Sequence, residues 1–265
     1  QLVFVYLIIP INKIQMKKLL LFTLLSAFAF TAYAQRNAKV EYWNTFHYKA
    51  KDGMEQKFLK AAAVKTKKFN SDPTNLIVTY RITTGDKTGV YERIMPFQTS
   101  KSYDRDASKE GKYWNDNVSP YANPDGGKQV WERLKWADVN VKPNDPPYKH
   151  LSKTTFIIKP THRNHFRRWV ERIAKVFAKR MPDASRIVMR LQSGGQRNMY
   201  VSYIGYNTFE NNNPDLETTW EEDYNKMFGW DTWATDLKLY NESKEMIFGE
   251  QRVSLELVEE LLPTN

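Results

Sequence analysis

His47 is the titratable side chain whose position best fits acid–base chemistry. It lies in residues 40–50, where the alternation of side-chain types predicts a β-strand, and it shares a strand face with Trp43 and Thr45. On a face that lines a pocket, a histidine can act as a general acid–base or orient a ligand. The alternative is a partly exposed strand histidine that makes one hydrogen bond, because the sequence identifies no partner acid. His47 is therefore the one catalytic candidate.

The other histidines do not predict a metal site. His162 and His165 are three residues apart at the start of a predicted helix, so they share a face, but no carboxylate is spaced to complete a ligand set. His150 lies beside a proline-rich segment and is expected in solvent. The chain contains no cysteine, which excludes disulfides, thiolate metal sites and a cysteine nucleophile. We expect no metal.

Aromatic and arginine side chains are the candidates for ligand binding. Aromatic residues that the core does not need can form a stacking surface for sugars or flat molecules, with arginines as polar anchors. The alternative is that they fill the layer between helices and sheet. The candidates are Trp43, Tyr91, Arg93, Tyr200, Arg190 and Trp220.

An internal repeat must position these residues. Residues 45–97 and 154–206 match at a nearly constant offset of 109, which aligns Pro73 with Pro182, Gly85 with Gly194, and Tyr91 with Tyr200. A repeat this long exceeds solenoid periods, so each copy is expected to be a small domain. The second copy has isoleucine where the first has His47, so the copies would not share a site.

Both copies predict the order strand, helix, strand, strand, helix, strand. The first copy predicts a strand at 40–50, a helix at 54–69, a hairpin at 76–97, a helix at 128–136 and a last strand at 139–141. The second predicts a strand from 154, a helix at 162–181, strands at 185–192 and 198–206, aromatic helical segments that bend at Gly229, and a strand at 251–261. This order is that of ferredoxin-like domains. We predict repeats at 38–142 and 151–265, with a proline-rich linker at 143–150.

Both faces of the predicted strands carry apolar residues, so the exposed face of each sheet must be covered. Two such sheets in one chain can cover each other as an intrachain α/β barrel. In its element order and its repeat, the chain from 40 to 262 resembles the dimeric α/β-barrel superfamily in a tandem form. The resemblance implies a pocket between sheet and helices or inside the barrel. It matches no catalytic motif of that superfamily, so it assigns no functional residue.

Residues 1–34 predict an export signal. Lys17 and Lys18 precede an apolar run that ends in Ala32-Tyr33-Ala34, so we expect cleavage after Ala34 and a periplasmic or extracellular protein. Residues 1–15 are interpreted as lying upstream of a start at Met16. A membrane anchor is the alternative, because residues 2–9 are also apolar. Removing 1–34 lowers the net charge from +10 to +7, which favours anionic partners.

These patterns predict a binding protein for a small molecule, without a cofactor. One alternative is an enzyme of the superfamily, either a cofactor-free oxygenase or a haem enzyme, since tandem barrels can hold haem through histidine. A second alternative is an interaction module that pairs through exposed sheet edges. The basic face of the helix at 162–181 is interpreted as solvated, so neither nucleic acid nor, after signal removal, membrane is an expected partner. The chain is expected as a pseudo-dimeric monomer or a homo-oligomer.

Overall fold

The described residues form nine β-strands, and eight of these strands close into an antiparallel barrel. The structure, a computed structural model, describes residues 40–142, 145–246 and 249–263, and residues from 40 onward belong to one compact unit. The predicted signal at 1–34 and linker positions 143 and 144 lie outside the described residues. The strands are β1 (Tyr42–Ala50), β2 (Val78–Ile82), β3 (Tyr91–Gln98), β4 (Ala122–Pro124), β5 (Gln129–Arg133), β6 (His150–Ile157), β7 (Ser185–Ser193), β8 (Met199–Tyr206) and β9 (Glu250–Leu257).

The barrel closes through pairs that are distant in the sequence. The order around the ring is β3, β2, β9, β6, β8, β7, β5 and β1, and β1 pairs with β3 to complete it. Two seams, β2 with β9 and β5 with β7, join the earlier strands to the later ones. Among the described strands, only the three-residue β4 ends the sheet outside the ring. An interaction module that works through exposed edges therefore has little edge to use.

The interior of the barrel is the apolar face of strands from both parts of the chain. Alternate side chains of each strand point inward and pack into one buried cluster. Trp131 of β5 is almost completely buried there, and its indole Nε1 donates a hydrogen bond to Thr45 Oγ1 at 3.0 Å. This interior explains why both faces of the strands are apolar.

Six helices are described, and they pack on the outside of the barrel. They are α1 (Glu55–Phe69), α2 (Ser108–Asn117), α3 (Arg163–Arg180), α4 (Phe209–Asn212), α5 (Trp220–Phe228) and α6 (Thr232–Ser243). The bend predicted at Gly229 is confirmed, because α5 ends at Phe228 and Gly229 has a φ of 111°. None of these helices has the length and apolar character that crossing a bilayer requires.

The basic face of α3 holds the outer helices. Arg168 and Arg172 pair with Asp236 of α6 at 2.8 and 2.6 Å, and Lys179 and Arg180 pair with Asp223 of α5 at 2.6 and 2.5 Å. Both carboxylates are buried. Four of the basic side chains of this helix are therefore used inside the chain.

The layer between α3, α5, α6 and the sheet is filled with aromatic rings. Phe166 lies 4.8 Å from Tyr200, and Trp169 lies 5.1 Å from Tyr240, measured between ring centroids. The buried cluster extends to Phe156 of β6. The later half of the barrel therefore uses its aromatic residues for packing.

The helix predicted at 128–136 is wrong. Residues Gln129–Arg133 form β5, and the helix of this region is α2, which precedes it. Val130, Trp131 and Leu134 fit a helical spacing, but a short apolar run is ambiguous, and pairing with β1 on one side and β7 on the other decides for a strand. The last strand predicted at 139–141 is reduced to a single bridge between Val139 and Arg186.

Candidate ligand-binding site

A cavity of about 380 Å³ lies outside the barrel, between β1, β3 and the helices α1 and α2. We call it the outer pocket. Its sheet wall consists of outward-facing residues, because the antiparallel register places Phe46 opposite Arg93 and Asn44 opposite Met95. Lys65 of α1 and Trp114 of α2 form the opposite wall. The volume falls within the range of about 300–1,000 Å³ that is usual for small-molecule sites.

The charges around the outer pocket are mostly positive. Among the residues that the structure describes, four cations line it, and Glu110 is its one acidic lining residue. Lys65 and Arg105 pair with Glu110 at 2.5 and 3.1 Å. Within the part of the chain that the structure describes, Arg93 and Lys128 have no carboxylate within 4.0 Å. The pocket therefore favours an anion.

Arg93 is the most unusual of these cations because it is 2% exposed. Its Nη2 donates to Thr66 Oγ1 at 2.6 Å, its Nε donates to Thr79 Oγ1 at 3.3 Å, and its guanidinium lies 5.0 Å from the Trp114 ring. Burial lowers the pKa of Arg93 to about 10. Hydroxyls satisfy part of its hydrogen bonding, and Glu110 offsets part of its charge but pairs directly with Lys65 and Arg105, so the buried guanidinium lacks a direct counter-ion, which is unfavourable. An anionic ligand would supply the missing charge.

Lys65 is buried in the same pocket and is held between two acceptors. Its Nζ donates to Asn70 Oδ1 at 2.6 Å and to Glu110 Oε1 at 2.5 Å. Burial, helped by the charge of Arg93, lowers the pKa of Lys65 to about 8, although Glu110 opposes the shift. A lysine with this pKa is partly neutral near neutral pH, and a neutral amine can accept a proton.

The barrel interior contains a separate charged cluster around Glu92. His47 Nε2 lies 3.4 Å from Glu92 Oε2, Lys153 Nζ lies 2.8 and 3.0 Å from the two carboxylate oxygens, and the Tyr203 hydroxyl donates to Oε1 at 2.5 Å. Burial alone would raise the pKa of Glu92, but Lys153 and His47 outweigh it and hold that pKa well below its usual range. His47 therefore has an acidic partner, but neither residue lines the outer pocket.

The other predicted ligand-binding residues are spread over the molecule. Trp43 lies inside one end of the barrel, Tyr91 donates its hydroxyl to Glu55, and Tyr200 packs in the aromatic layer. Arg190 binds Glu132 at 2.7 Å, and Trp220 lies under the Arg180 guanidinium at 5.1 Å. Of the six predicted residues, Arg93 is the one that lines the outer pocket.

Sequence reasoning missed Lys65 and Glu92, and each had a detectable signal. Lys65 falls on the stripe of α1 that buries Phe58 and Ala62, so a charged residue occurs at a core position of the helix. Glu92 stands directly opposite His47 once β1 is paired with β3. That pairing joins strands separated by a helix and another strand, and no turn in the sequence specifies its register.

The described residues do not fit a haem held by histidine. No histidine lines the outer pocket or the cavity inside the barrel, and the chain has no cysteine. His150 stacks against Tyr206, and His162 and His165 lie at the start of α3. The corresponding layer of the later half, between helices and sheet, is filled by aromatic rings. In the described ranges no three histidine or acidic side chains group so that they could hold a metal ion.

Comparisons with known proteins support the fold. No protein-family model and no curated protein sequence matches the chain. A monooxygenase-like protein from Fusobacterium nucleatum superposes with a TM-score of 0.55 at 12% identity, over 83% of this chain and 93% of that one. A monooxygenase-like protein from Lactobacillus acidophilus gives 0.53 at 9% identity, over 83% and 94%. A chlorite dismutase-like protein gives 0.50 at 11% identity, over 84% and 96%. The chain therefore has the dimeric α/β-barrel fold of monooxygenase-like and chlorite dismutase-like proteins.

Proposed function

We propose that the protein binds a small organic anion in the outer pocket. The observation that carries this proposal is Arg93, a buried guanidinium at the pocket wall that has hydroxyl partners and no carboxylate among the described residues. Lys128 adds a second cation without a carboxylate partner there. A carboxylate can accept two parallel hydrogen bonds from a guanidinium, so it is the anion we expect.

The aromatic side chains of the pocket favour a flat ligand. Phe46, Tyr48, Tyr103 and Trp114 all line the cavity, and the Tyr103 hydroxyl donates to Asn44 Oδ1 at 2.8 Å. Rings of this kind stack on planar molecules, while the Arg93 guanidinium binds the charged end. An aromatic carboxylate is therefore the proposed ligand class.

The proposal includes the predicted organisation and location of the chain. We infer that residues 38–142 and 151–265 are tandem ferredoxin-like repeats joined by the linker at 143–150, which the offset of 109 and the order of strands and helices support. The protein is proposed to be exported after cleavage at Ala34. It would act as a pseudo-dimeric monomer or as a homo-oligomer of such chains.

A second candidate function is cofactor-free oxygenation in the same pocket, with Lys65 as its specific support. A neutral Lys65 amine can remove a proton from an acidified C–H of a bound substrate, and Arg93 can stabilise the resulting anion. The electron-rich anion then reduces dioxygen. Conversion of a CH₂ group to a carbonyl takes up one oxygen atom and releases the other as water, so the substrate supplies all four electrons. The fold shared with monooxygenase-like proteins is compatible with this reaction.

Titration of intrinsic tryptophan fluorescence with benzoate tests the binding proposal, because Trp114 lines the pocket. We expect saturable binding of benzoate, binding of uncharged benzamide at least ten times weaker, and loss of benzoate binding in Arg93→Met. The matched control is Arg190→Met, which removes an arginine that binds Glu132 and is 43% exposed at its side chain. Equal affinity of the wild type and Arg93→Met for benzoate would contradict the proposal.

The oxygenase candidate has its own readout. An oxygen electrode would record uptake of one O₂ for each molecule of an acidic CH₂ substrate oxidised, and Lys65→Met should abolish it while benzoate binding persists. If oxygen uptake is unchanged in Lys65→Met, the lysine is not the base.

A further inference from the structure

A second cavity, of about 150 Å³, lies inside one end of the barrel. We call it the barrel cavity. Its walls are apolar and come from strands of both halves, including Trp43, Val78, Ile94, Leu151 and Ile187. Its two charged lining residues, Lys142 and Asp145, are both exposed. The barrel cavity is separate from the outer pocket, because none of the described residues lines both.

The rim of the barrel cavity contains a strained aromatic residue. Phe97 has a φ of 58°, in the left-handed region that a bulky L-residue adopts only at a cost, and the residue remains 48% exposed. The register between β1 and β3 is irregular here, so that Pro96 and Phe97 together oppose Trp43. The Phe97 ring meets the Trp43 ring edge-on, with centroids 5.7 Å apart. Strain of this kind that survives in a folded chain is characteristic of binding sites.

The other side of the rim is built by close packing. The Tyr80 hydroxyl donates to the backbone oxygen of Tyr148 at 3.0 Å, which ties the end of the linker to β2. The Tyr148 ring lies against Gly205, where an added Cβ would stand 2.5 Å from Tyr148 Cδ2. Only glycine allows this approach. The linker end is therefore fixed at the barrel cavity by a hydrogen bond and a close contact.

Two of the tyrosine hydroxyls at the barrel cavity already have hydrogen-bond partners. Tyr203 lines the cavity, but its hydroxyl donates to Glu92, so Tyr203 offers the cavity its ring. The hydroxyl of Tyr80 is likewise occupied by Tyr148. The buried part of the cavity therefore offers a ligand mainly apolar contact, and the charged Lys142 and Asp145 are exposed. A cavity of about 150 Å³ with apolar walls is large enough to hold benzene or xenon.

We infer that the barrel cavity binds a small neutral apolar molecule about the size of one benzene ring. This ligand is distinct from the anion of the outer pocket, and the inference does not depend on the function proposed for that pocket. Phe97 and the linker end form the rim through which the molecule passes. The chemical class is a neutral hydrocarbon or an uncharged aromatic compound.

Xenon NMR on the purified protein tests this inference. The ¹²⁹Xe chemical shift should change saturably with protein concentration, and benzene should displace the xenon with a stoichiometry of one per chain. Ile187→Phe, which fills the cavity, should weaken xenon binding at least tenfold. Arg190→Met, at an arginine that lines neither cavity and is 43% exposed at its side chain, is the control and should bind xenon like the wild type.

Two further measurements separate binding from folding. Ile187→Phe should keep the circular dichroism spectrum and the benzoate affinity of the wild type. If Ile187→Phe fails to fold, the inference is tested instead by benzene displacement of xenon in the wild type and by xenon exchange in Phe97→Gly. Phe97→Gly removes the rim ring and should exchange xenon several times faster. A xenon shift in the wild type that does not saturate, or that benzene leaves unchanged, would overturn the inference.

Discussion

Replacing Arg93 with methionine should leave the ligand-free protein about as stable as the wild type, although the substitution removes a buried side chain. Burial lowers the pKa of Arg93 from 12.5 to about 10, which corresponds to a penalty of about 3 kcal/mol for holding the charge at neutral pH. The substitution removes this penalty but loses the contact with the Trp114 ring, worth about 1 kcal/mol, and the hydrogen bonds to Thr66 and Thr79, worth about 1 kcal/mol each. Methionine is unbranched and fills much of the same space. The expected net change in the free energy of unfolding is therefore close to zero, within about 1 kcal/mol.

Urea denaturation followed by circular dichroism, with and without benzoate, measures this effect. At one hundred times the Kd, benzoate should add about 2.7 kcal/mol to the free energy of unfolding of the wild type and nothing to that of Arg93→Met. Arg190→Met should change stability by less than about 1 kcal/mol, because its ion pair with Glu132 is largely solvated. A loss of more than about 2 kcal/mol in ligand-free Arg93→Met would refute the reasoning, since the protein itself would then satisfy the guanidinium.

Three other predictions follow from buried charge and backbone strain. Because the pKa of Lys65 is about 8 in the folded chain and 10.5 in the unfolded one, the unfolded chain binds more protons between these values. Lys65 should therefore contribute up to about 3 kcal/mol more to the free energy of unfolding at pH 10.5 than at pH 8, and urea titrations at the two pH values should show the wild type gaining that amount relative to Lys65→Met. Glu92→Gln should destabilise the protein by about 3–5 kcal/mol in chemical denaturation, because Lys153 is left buried without its partner, and replacing both residues with methionine should recover most of the loss. Phe97→Gly should be more stable than Phe97→Ala by about 0.5–1 kcal/mol at the thermal transition, and should therefore have the higher thermal midpoint. The reverse order of midpoints would show that the left-handed backbone carries no strain.

The sequence predicted the strands best where side chains of different character alternate along the chain, or where a turn is marked by glycine. The alternation around His47 predicted β1 to within two residues, and the turn at Gly85 predicted the hairpin of β2 and β3. Closure of the barrel was less accessible, because the β2–β9 and β5–β7 seams join strands that are far apart in the chain. Pairing across the second seam decided that Trp131 belongs to a strand and not to a helix.

The candidate site was predictable only in part, because a pocket depends on which side of the sheet remains unfilled. Arg93 was predicted as a polar anchor, and it lines the outer pocket. Tyr200 was also predicted to bind a ligand, but in the later half of the barrel the Phe166 ring covers it. Nothing in a strand pattern distinguishes an outward residue that packs from one that faces an empty space. That difference arises from the volume of the helix side chains that cover it.

The unequal filling of the two halves has a consequence for how the protein can change. In a dimer of identical subunits, every substitution occurs in both pockets. One pocket therefore cannot be filled with packed side chains to stabilise the dimer while the other pocket stays open. Here the aromatic layer around Trp169 fills the space between helices and sheet in the later half of the barrel, while the earlier half, which contains Arg93, has a cavity. The stoichiometry expected for the anion is one per polypeptide, with a simple hyperbolic isotherm. A gene that encodes both halves can therefore vary its recognition surface without disturbing the half that supports it.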